Sequence, residues 1–271
     1  MNWTDALGRS VEIERPPQRI VSLVPSITEA LFAFNLGKRI AGVTKYCTEP
    51  ADGVADVPKV GGTKNVDVKT VVKLKPDLVI ANVEENEKTD IEALTAAGLT
   101  VFVTYPRTVI HATAMMRTLA EIMDTKDAAA PVVAAIEAEA ALARAADRDR
   151  TPLRVFCPIW RDKWMTIGPD TYMHDFLLSC GLQNVYGDSN ERYPKIELAD
   201  VAARRPDVVI LPNEPYRFQP RHVKEVAQAI PGIDESRIYI VDGKDVCWYG
   251  PRIADALLRI RKTVWGSAPS L

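Results

Sequence analysis

The sequence predicts an α/β protein with two doubly wound, Rossmann-like lobes joined by a long helical connector, and three observations lead there. Short β-branched runs alternate with helix-patterned segments along most of the chain, the pacing that gives parallel strands with crossover helices. The segment KTVVKLKPDLVIANVEE is echoed by ADVAARRPDVVILPNEP: each has a helix, a basic residue, Pro-Asp, a β-branched strand and a polar loop with Glu. Such an echo marks an internal duplication. Between the copies, residues 109–148 are Ala-rich, carry Met, Leu, Ile and Val at helical spacing, and contain no β-like run.

Taken in order, residues 3–15 alternate weakly about Gly8 and end in Arg15-Pro16-Pro17, a short leading hairpin. RIVSLVP is the first core strand. Ser26 then stands as helix cap with Glu29 reaching back as a capping box, and the helix TEALFAFNL stops at Gly37. Ile40–Val43 is the next strand, followed by a loop with Lys45, Tyr46 and Cys47. A helix before Pro76-Asp77, the buried strand Leu78–Ala81, the helix IEALTAAG and the strand Thr100–Thr104 complete lobe one. In the connector Pro131 demands a kink, or a second helix starting with Pro131 in its first turn; two helices are expected. The pattern restarts after Thr151-Pro152 with the strand LRVFCPIW and the helix TYMHDFLLSC ended by Gly181. The echoed helix and strand, the strand RIYIVDG and an amphipathic helix over 251–265 follow. The expected domains are 1–107 (N-terminal lobe with its hairpin), 108–150 (connector) and 151–271 (C-terminal lobe).

Composition narrows the function classes. With 47% hydrophobic and 26% charged residues the chain is globular in type, and Lys plus Arg (34) nearly balance Asp plus Glu (36). No basic surface is implied that would hold a phosphate backbone, so nucleic acid is not an expected partner. No run approaches the roughly 18 apolar residues of a membrane span. The start MNWTDALGRSVEI lacks the features of a secretory leader, which by itself reads as cytoplasmic, or as periplasmic with a leader removed. Cys47, Cys157, Cys180 and Cys247 form no CxxC pair and read as ordinary small side chains. His111, His174 and His222 are scattered, the last two expected at helix surfaces, so no protein-made metal site is expected. No GxSxG or phosphate loop occurs and GGTK lacks P-loop spacing, so an enzyme is not expected. Glu84 facing Glu214 across a small pocket, with raised pKa values, would be the exception.

With RIVSLVPSITEALFAFNLGKRIAGVTKYC, LKPDLVIANVEEN and RRPDVVILPNEP in view, the sequence resembles the helical-backbone substrate-binding proteins of ABC importers, most nearly the cobalamin-binding branch. The resemblance runs from about Thr4 to Trp265. It implies a monomeric, non-catalytic protein without a cofactor of its own, which holds a small ligand between loops at the carboxyl ends of its strands and docks on an ABC permease. The ligands implied are a corrinoid or another metal chelate, with iron-siderophores and haem as the alternatives. An intracellular cofactor scavenger keeps the binding role and drops the importer.

Pro25 and Ser26 match the family's loop after the first strand, and Tyr46 matches an aromatic loop position suited to a planar macrocycle. The first wall departs from the pattern in being charged, with Lys64 after Gly61-Gly62-Thr63 and Glu84-Glu85-Asn86 where Gly-rich segments are usual. In the second lobe Trp160, Arg161 and Trp164 follow one strand, Glu214 and Tyr216 another, and Trp248, Tyr249 and Arg252 cluster further on. Aromatics where a doubly wound sheet opens suit a ligand better than a core, and the charged set can bond amide, carboxylate or phosphate groups. Glu87 lies near the family's permease-docking position in lobe one, although Lys88 adjoins it and lobe two lacks a clear counterpart. Relatives that pair a Cys at the Cys180 position with one in the last helix meet Arg261 here, so that disulfide is excluded.

Overall fold

The computed structural model describes residues 1–266. The chain forms two compact units: one comprises Met1–Pro106, His111–Ala134 and Tyr249–Pro251, the other Arg107–Ile110, Ala135–Trp248 and Arg252 onward. The elements are β1 (Asn2–Thr4), β2 (Ser10–Glu12), β3 (Ile20–Ser22), α1 (Pro25–Ala33), β4 (Ile40–Val43), α2 (Ala51–Val54), β5 (Gly61–Gly62), β6 (Asn65–Val66), α3 (Val68–Leu74), β7 (Leu78–Asn82), α4 (Lys88–Ala96) and β8 (Val101–Thr104). The helices α5 (Val109–Met123) and α6 (Lys126–Ala146) follow. Then come β9 (Leu153–Phe156), β10 (Pro158–Trp160), β11 (Met165–Thr166), α7 (Tyr172–Ser179), β12 (Leu182–Asn184), α8 (Leu198–Ala203), β13 (Val208–Pro212), α9 (Pro220–Ala229), β14 (Ile238–Val241), α10 (Gly243–Cys247) and α11 (Ile253–Trp265).

The first unit holds a parallel sheet of order β4-β3-β7-β8 and the second a parallel sheet of order β12-β9-β13-β14. The α/β class with two parallel-sheet lobes and a long connecting helix, α6, is therefore as the sequence predicts. The central strands β7 and β13 are buried along their whole length, which is why their sequences read as continuous apolar runs. Val21, Leu23, Val79, Leu94 and Val103 anchor one core; Phe156, Val201, Val209, Leu211 and Phe218 anchor the other. Each such side chain contributes about 1.5–3 kcal/mol of transfer free energy.

The Pro-Asp echo has a mechanical cause. The Asp77 carboxylate accepts the backbone N–H groups of Gln18 and Arg19 at 2.8 and 2.9 Å, and Arg19 donates to the Leu74 carbonyl at the end of α3 at 2.7 Å. In the second unit Asp207 accepts the Arg154 N–H at 2.7 Å, and Arg154 donates to the Arg204 carbonyl behind α8 at 2.7 Å. In both copies the Asp ties a strand to its neighbour's start, and that strand's Arg satisfies carbonyls orphaned at a helix end. The basic residue before Pro-Asp is left-handed in both, with φ of 47° at Lys75 and 45° at Arg205.

Some local expectations are corrected. Ser26 is not a cap: Val24 occupies that position without a side-chain bond and Pro25 opens the helix at its first turn, its fixed φ already helical. The helix yields at Asn35, whose φ is 60°, two residues before Gly37. The connector breaks at Asp124, with φ of 56°, and not at Pro131, which lies inside α6. There Thr125 N–H bonds the Ala120 carbonyl and Asp124 N–H the Glu121 carbonyl, a Schellman closure that an Asp in the left-handed region permits. LRVFCPIW is two strands, since Pro158 lacks the donor needed to continue the ladder and turns into a hairpin with β11. His222 is buried at 2% exposure rather than on the surface. Its Nδ1 accepts the Gln219 N–H at 2.8 Å and closes a capping box on α9.

Candidate functional site

In the first unit the loops beyond the strands' carboxyl ends are set by buried polar groups. Thr28 Oγ1 lies 2.9 Å from Ser22 Oγ and 3.2 Å from Cys47 Sγ, and Thr44 Oγ1 lies 3.2 Å from the same sulfur. Burial pushes the Cys47 thiol above its ordinary range, so it serves as a neutral hydrogen-bonding group. The knot fixes the loop that turns Tyr46 outward, 52% exposed, with the Lys45 ammonium 5.1 Å from its ring centroid. Pro25 and Ser26 are buried. The Ser26 carbonyl is packed so closely that a Cβ on Gly250 would come within 2.7 Å of it.

The charged loop after β7 rests on two buried asparagines, Asn82, which the sequence reading passed over, and Asn86, which it named only as part of the Glu84-Glu85-Asn86 run. Asn82 Oδ1 accepts the N–H groups of Glu84 and Glu85 at 2.8 and 3.2 Å, while Asn86 donates to the Leu23 and Thr63 carbonyls and accepts from the Asn82 N–H. Two Asn spaced four apart at a strand's end were the available signal. Lys64 sits at the tip of the β5–β6 hairpin, donates to the Glu84 carbonyl at 2.7 Å, and pairs with Glu87 at 3.3 Å. A cavity of about 590 Å³ lies elsewhere in this unit, between the leading hairpin and residues 99–101, and contains none of the residues expected to meet ligand.

In the second unit the hairpin β10–β11 and the loop after β13 share an aromatic belt. Trp160, 43% exposed, meets Tyr216 edge-on at 5.6 Å, and Tyr216 lies 4.8 Å from Phe218. Trp164 stacks on Phe218 at 5.9 Å and packs against the core, so it supports the belt from beneath. Phe218 and His222, buried members of the belt, were not among the expected site residues. Arg161 donates to Glu225 at 3.0 Å and 3.2 Å and to Asp162 at 3.3 Å.

The third cluster forms around Trp248, which caps α10 and is 7% exposed. Lys244 Nζ and the Arg252 guanidinium lie 5.3 and 4.8 Å from its ring, and its indole N–H bonds the Glu214 carboxylate. Arg252 is paired with the buried Asp245 at 3.7 Å, as is Arg259 at 2.7 Å. Glu214 is half-buried, and burial, reinforced by Asp242, raises its pKa against the pull of Lys244, Arg252 and the Trp248 bond. The loop bearing it is pinned from behind. Gly243 donates to Asn213 Oδ1 at 2.7 Å, and a Cβ at Gly243 would fall 2.4 Å from the Glu214 nitrogen. Tyr249, 5% exposed, belongs to the first unit. Among the described residues no group of His, Cys, Asp and Glu gathers as a metal site, and no helix is long and apolar enough to cross a membrane.

Two parallel sheets, each with polar and aromatic loops beyond its strands' carboxyl ends and a long helix connecting them, define a solute-binding protein of the two-lobed type. The chain belongs to the periplasmic binding protein family, whose model matches residues 20–242. It is 26% identical over 204 residues to the vitamin B12-binding protein of Vibrio cholerae, covering 72% of this chain and 70% of that one. It is 27% identical over 271 residues to the uncharacterized ABC transporter substrate-binding lipoprotein YvrC of Bacillus subtilis, covering 96% and 84%. The solved structure of the periplasmic haem-binding protein RhuT from Roseiflexus sp. RS-1 shares the fold, with TM-score 0.79, 24% identity and coverage of 93% of this chain and 99% of that one. The family is one of substrate-binding transport proteins, not enzymes.

Proposed function

We propose that this protein binds a corrinoid outside the cytoplasm and delivers it to an ABC permease. One observation carries the choice of ligand: each basic side chain expected to meet ligand is already matched by a carboxylate. Lys64 faces Glu87, Arg161 faces Glu225 and Asp162, and Arg252 faces Asp245. The two exposed pairs, those of Lys64 and Arg161, are worth only about 0–1 kcal/mol each, yet together with the buried Asp245 they offset the local positive field that an anionic haem or ferric siderophore would exploit. The unspent recognition surface is aromatic, with Tyr46 in the first unit and Trp160 over Tyr216 in the second. Each unit adds groups able to bond amides, the Glu84–Glu85 loop in the first and Glu214 in the second. That combination suits a large flat ligand bearing carboxamides. The likeness to a vitamin B12-binding protein supports the same reading.

The protein needs no cofactor of its own in this role. An exported location accords with a lipoprotein relative, and the exposed Glu87 at the start of α4 supplies an acidic contact for a permease. Titration with cyanocobalamin, cobinamide, haem and a small panel of ferric siderophores, followed by tryptophan fluorescence, tests the reading. Saturable quenching by corrinoids alone is the expected result. Saturation by haem or a siderophore alone reassigns the ligand class.

A further inference from the structure

The second unit contains a cavity of about 430 Å³ beside the edge strand β12, lined among others by Arg154, His174, Leu178, Asn184, Val185 and Arg204. None of the residues expected to meet the transported ligand lines it. Its polar wall consists largely of fixed donors. Asn184 Oδ1 accepts the Tyr186 N–H at 3.0 Å, so the side-chain amide group faces the other way, donating to the Ile167 carbonyl at 2.8 Å and to His174 Nδ1 at 3.3 Å. Nδ1 is therefore the acceptor of the ring, and the proton sits on Nε2. Burial also holds the His174 pKa below its ordinary value, so the ring is a neutral N–H donor at pH 7.

The two guanidiniums are immobilised by other bonds and keep N–H groups unspent. Arg154 spends Nε and Nη2 on the carbonyls of Arg204 and Arg205, leaving Nη1. Arg204 spends Nη1 on the Val185 carbonyl and on Asp188, and its cation lies 4.2 Å from the Tyr186 ring. A further N–H interacts with the Tyr186 hydroxyl, and the rest of its five donors remain. The carboxylate lining the cavity, Asp188, is the one Arg204 already holds at 2.7 Å. Gly187 keeps the space beside the imidazole open, since a Cβ there would stand 3.2 Å from His174 Cε1.

We propose that this cavity binds a small organic anion. A phosphate or carboxylate head accepts from His174 Nε2 and from the unspent N–H groups of Arg154 and Arg204, while the apolar part lies against Leu178 and Val185. Preorganised donors of this kind suit an oxyanion because no side chain has to be ordered on binding, and the cavity exceeds what a bare inorganic ion fills.

The test is a titration of the full chain, with ¹⁵N-labelled histidine, by phenyl phosphate, benzoate and inorganic phosphate at pH 7, following the His174 Nε2–H resonance. A saturable shift with phenyl phosphate or benzoate is expected, at Kd on the order of 1 mM or tighter, and the tighter of the two identifies the head group. Inorganic phosphate binds more weakly. Measured by calorimetry, because the variant has no His174 resonance, His174→Phe reduces affinity at least about tenfold, the scale of one lost charge-assisted bond. His174→Gln, which keeps a side-chain N–H, retains most of it. Should the Phe variant melt prematurely by circular dichroism, the Gln variant and Leu178→Asp, which charges the apolar wall, decide. A His174 shift that never saturates in the parent chain, or calorimetric affinities unchanged in these variants, overturns the proposal.

Discussion

At the scale of single residues, the tryptophans expected to meet ligand divide by burial. Trp160 is exposed and touches Tyr216 by an edge, so Trp160→Ala is expected to leave the melting temperature nearly unchanged while weakening ligand binding by about 1 kcal/mol or more. Trp248 carries two cations on its ring and a carboxylate on its indole nitrogen within a buried setting. Trp248→Ala should therefore cost about 3 kcal/mol in urea unfolding before any effect on ligand is read. Sequence position alone did not separate them, because both stand at the ends of short elements, Trp160 closing β10 and Trp248 capping α10, and only packing shows which face is occupied. Glu214 gives a pH signature. Its pKa is raised in the folded protein, so burying the charged form opposes folding. That cost is absent below the unfolded pKa and grows as pH rises through the folded value. Glu214→Gln, which can still accept the indole N–H, should gain stability relative to the parent as pH rises from 4 to 7, measured by denaturant unfolding at each pH. An unchanged difference across that range would mean Glu214 ionises freely.

Between elements, the chain substitutes an ion pair for covalent linkage. Arg261 on α11, 1% exposed, pairs with Asp147 just beyond α6; the second of its two bonds is 3.0 Å long. Cys180 is free and buried close by, its thiol pushed up chiefly by that burial. Removing one partner strands the other charge. Arg261→Met should lower unfolding free energy by about 3 kcal/mol, and adding Asp147→Asn should cost less than the sum of the two single changes. Full additivity would show that the pair does not couple. The exclusion of a disulfide at this place was legible in the sequence; the compensating Asp147, more than a hundred residues away in the chain, was not. The Pro-Asp echo was legible because each copy carries its own strand tie and helix cap within one local motif. The helix break at Asp124 was missed because Pro131 was the stronger local signal. Yet a proline within a helix removes one hydrogen bond, whereas the Schellman closure ends the helix outright.

Across the whole molecule, fold class and family were readable because alternation, duplication and the helical connector persist over most of the chain. The residues that position the candidate site were less readable. Asn82, Asn86, Phe218 and Asp245 act by holding others, and their sequence context resembles ordinary core or loop. Ligand class rests on charge balance, a property of pairs that meet only in the folded chain. The most direct test is calorimetric titration with cyanocobalamin and, in parallel, haem at low and high salt. A charge-paired aromatic site predicts a one-to-one cyanocobalamin isotherm whose Kd changes less than about threefold as screening increases. Stoichiometric haem binding that falls steeply with salt, alongside a flat cyanocobalamin trace, would contradict the account.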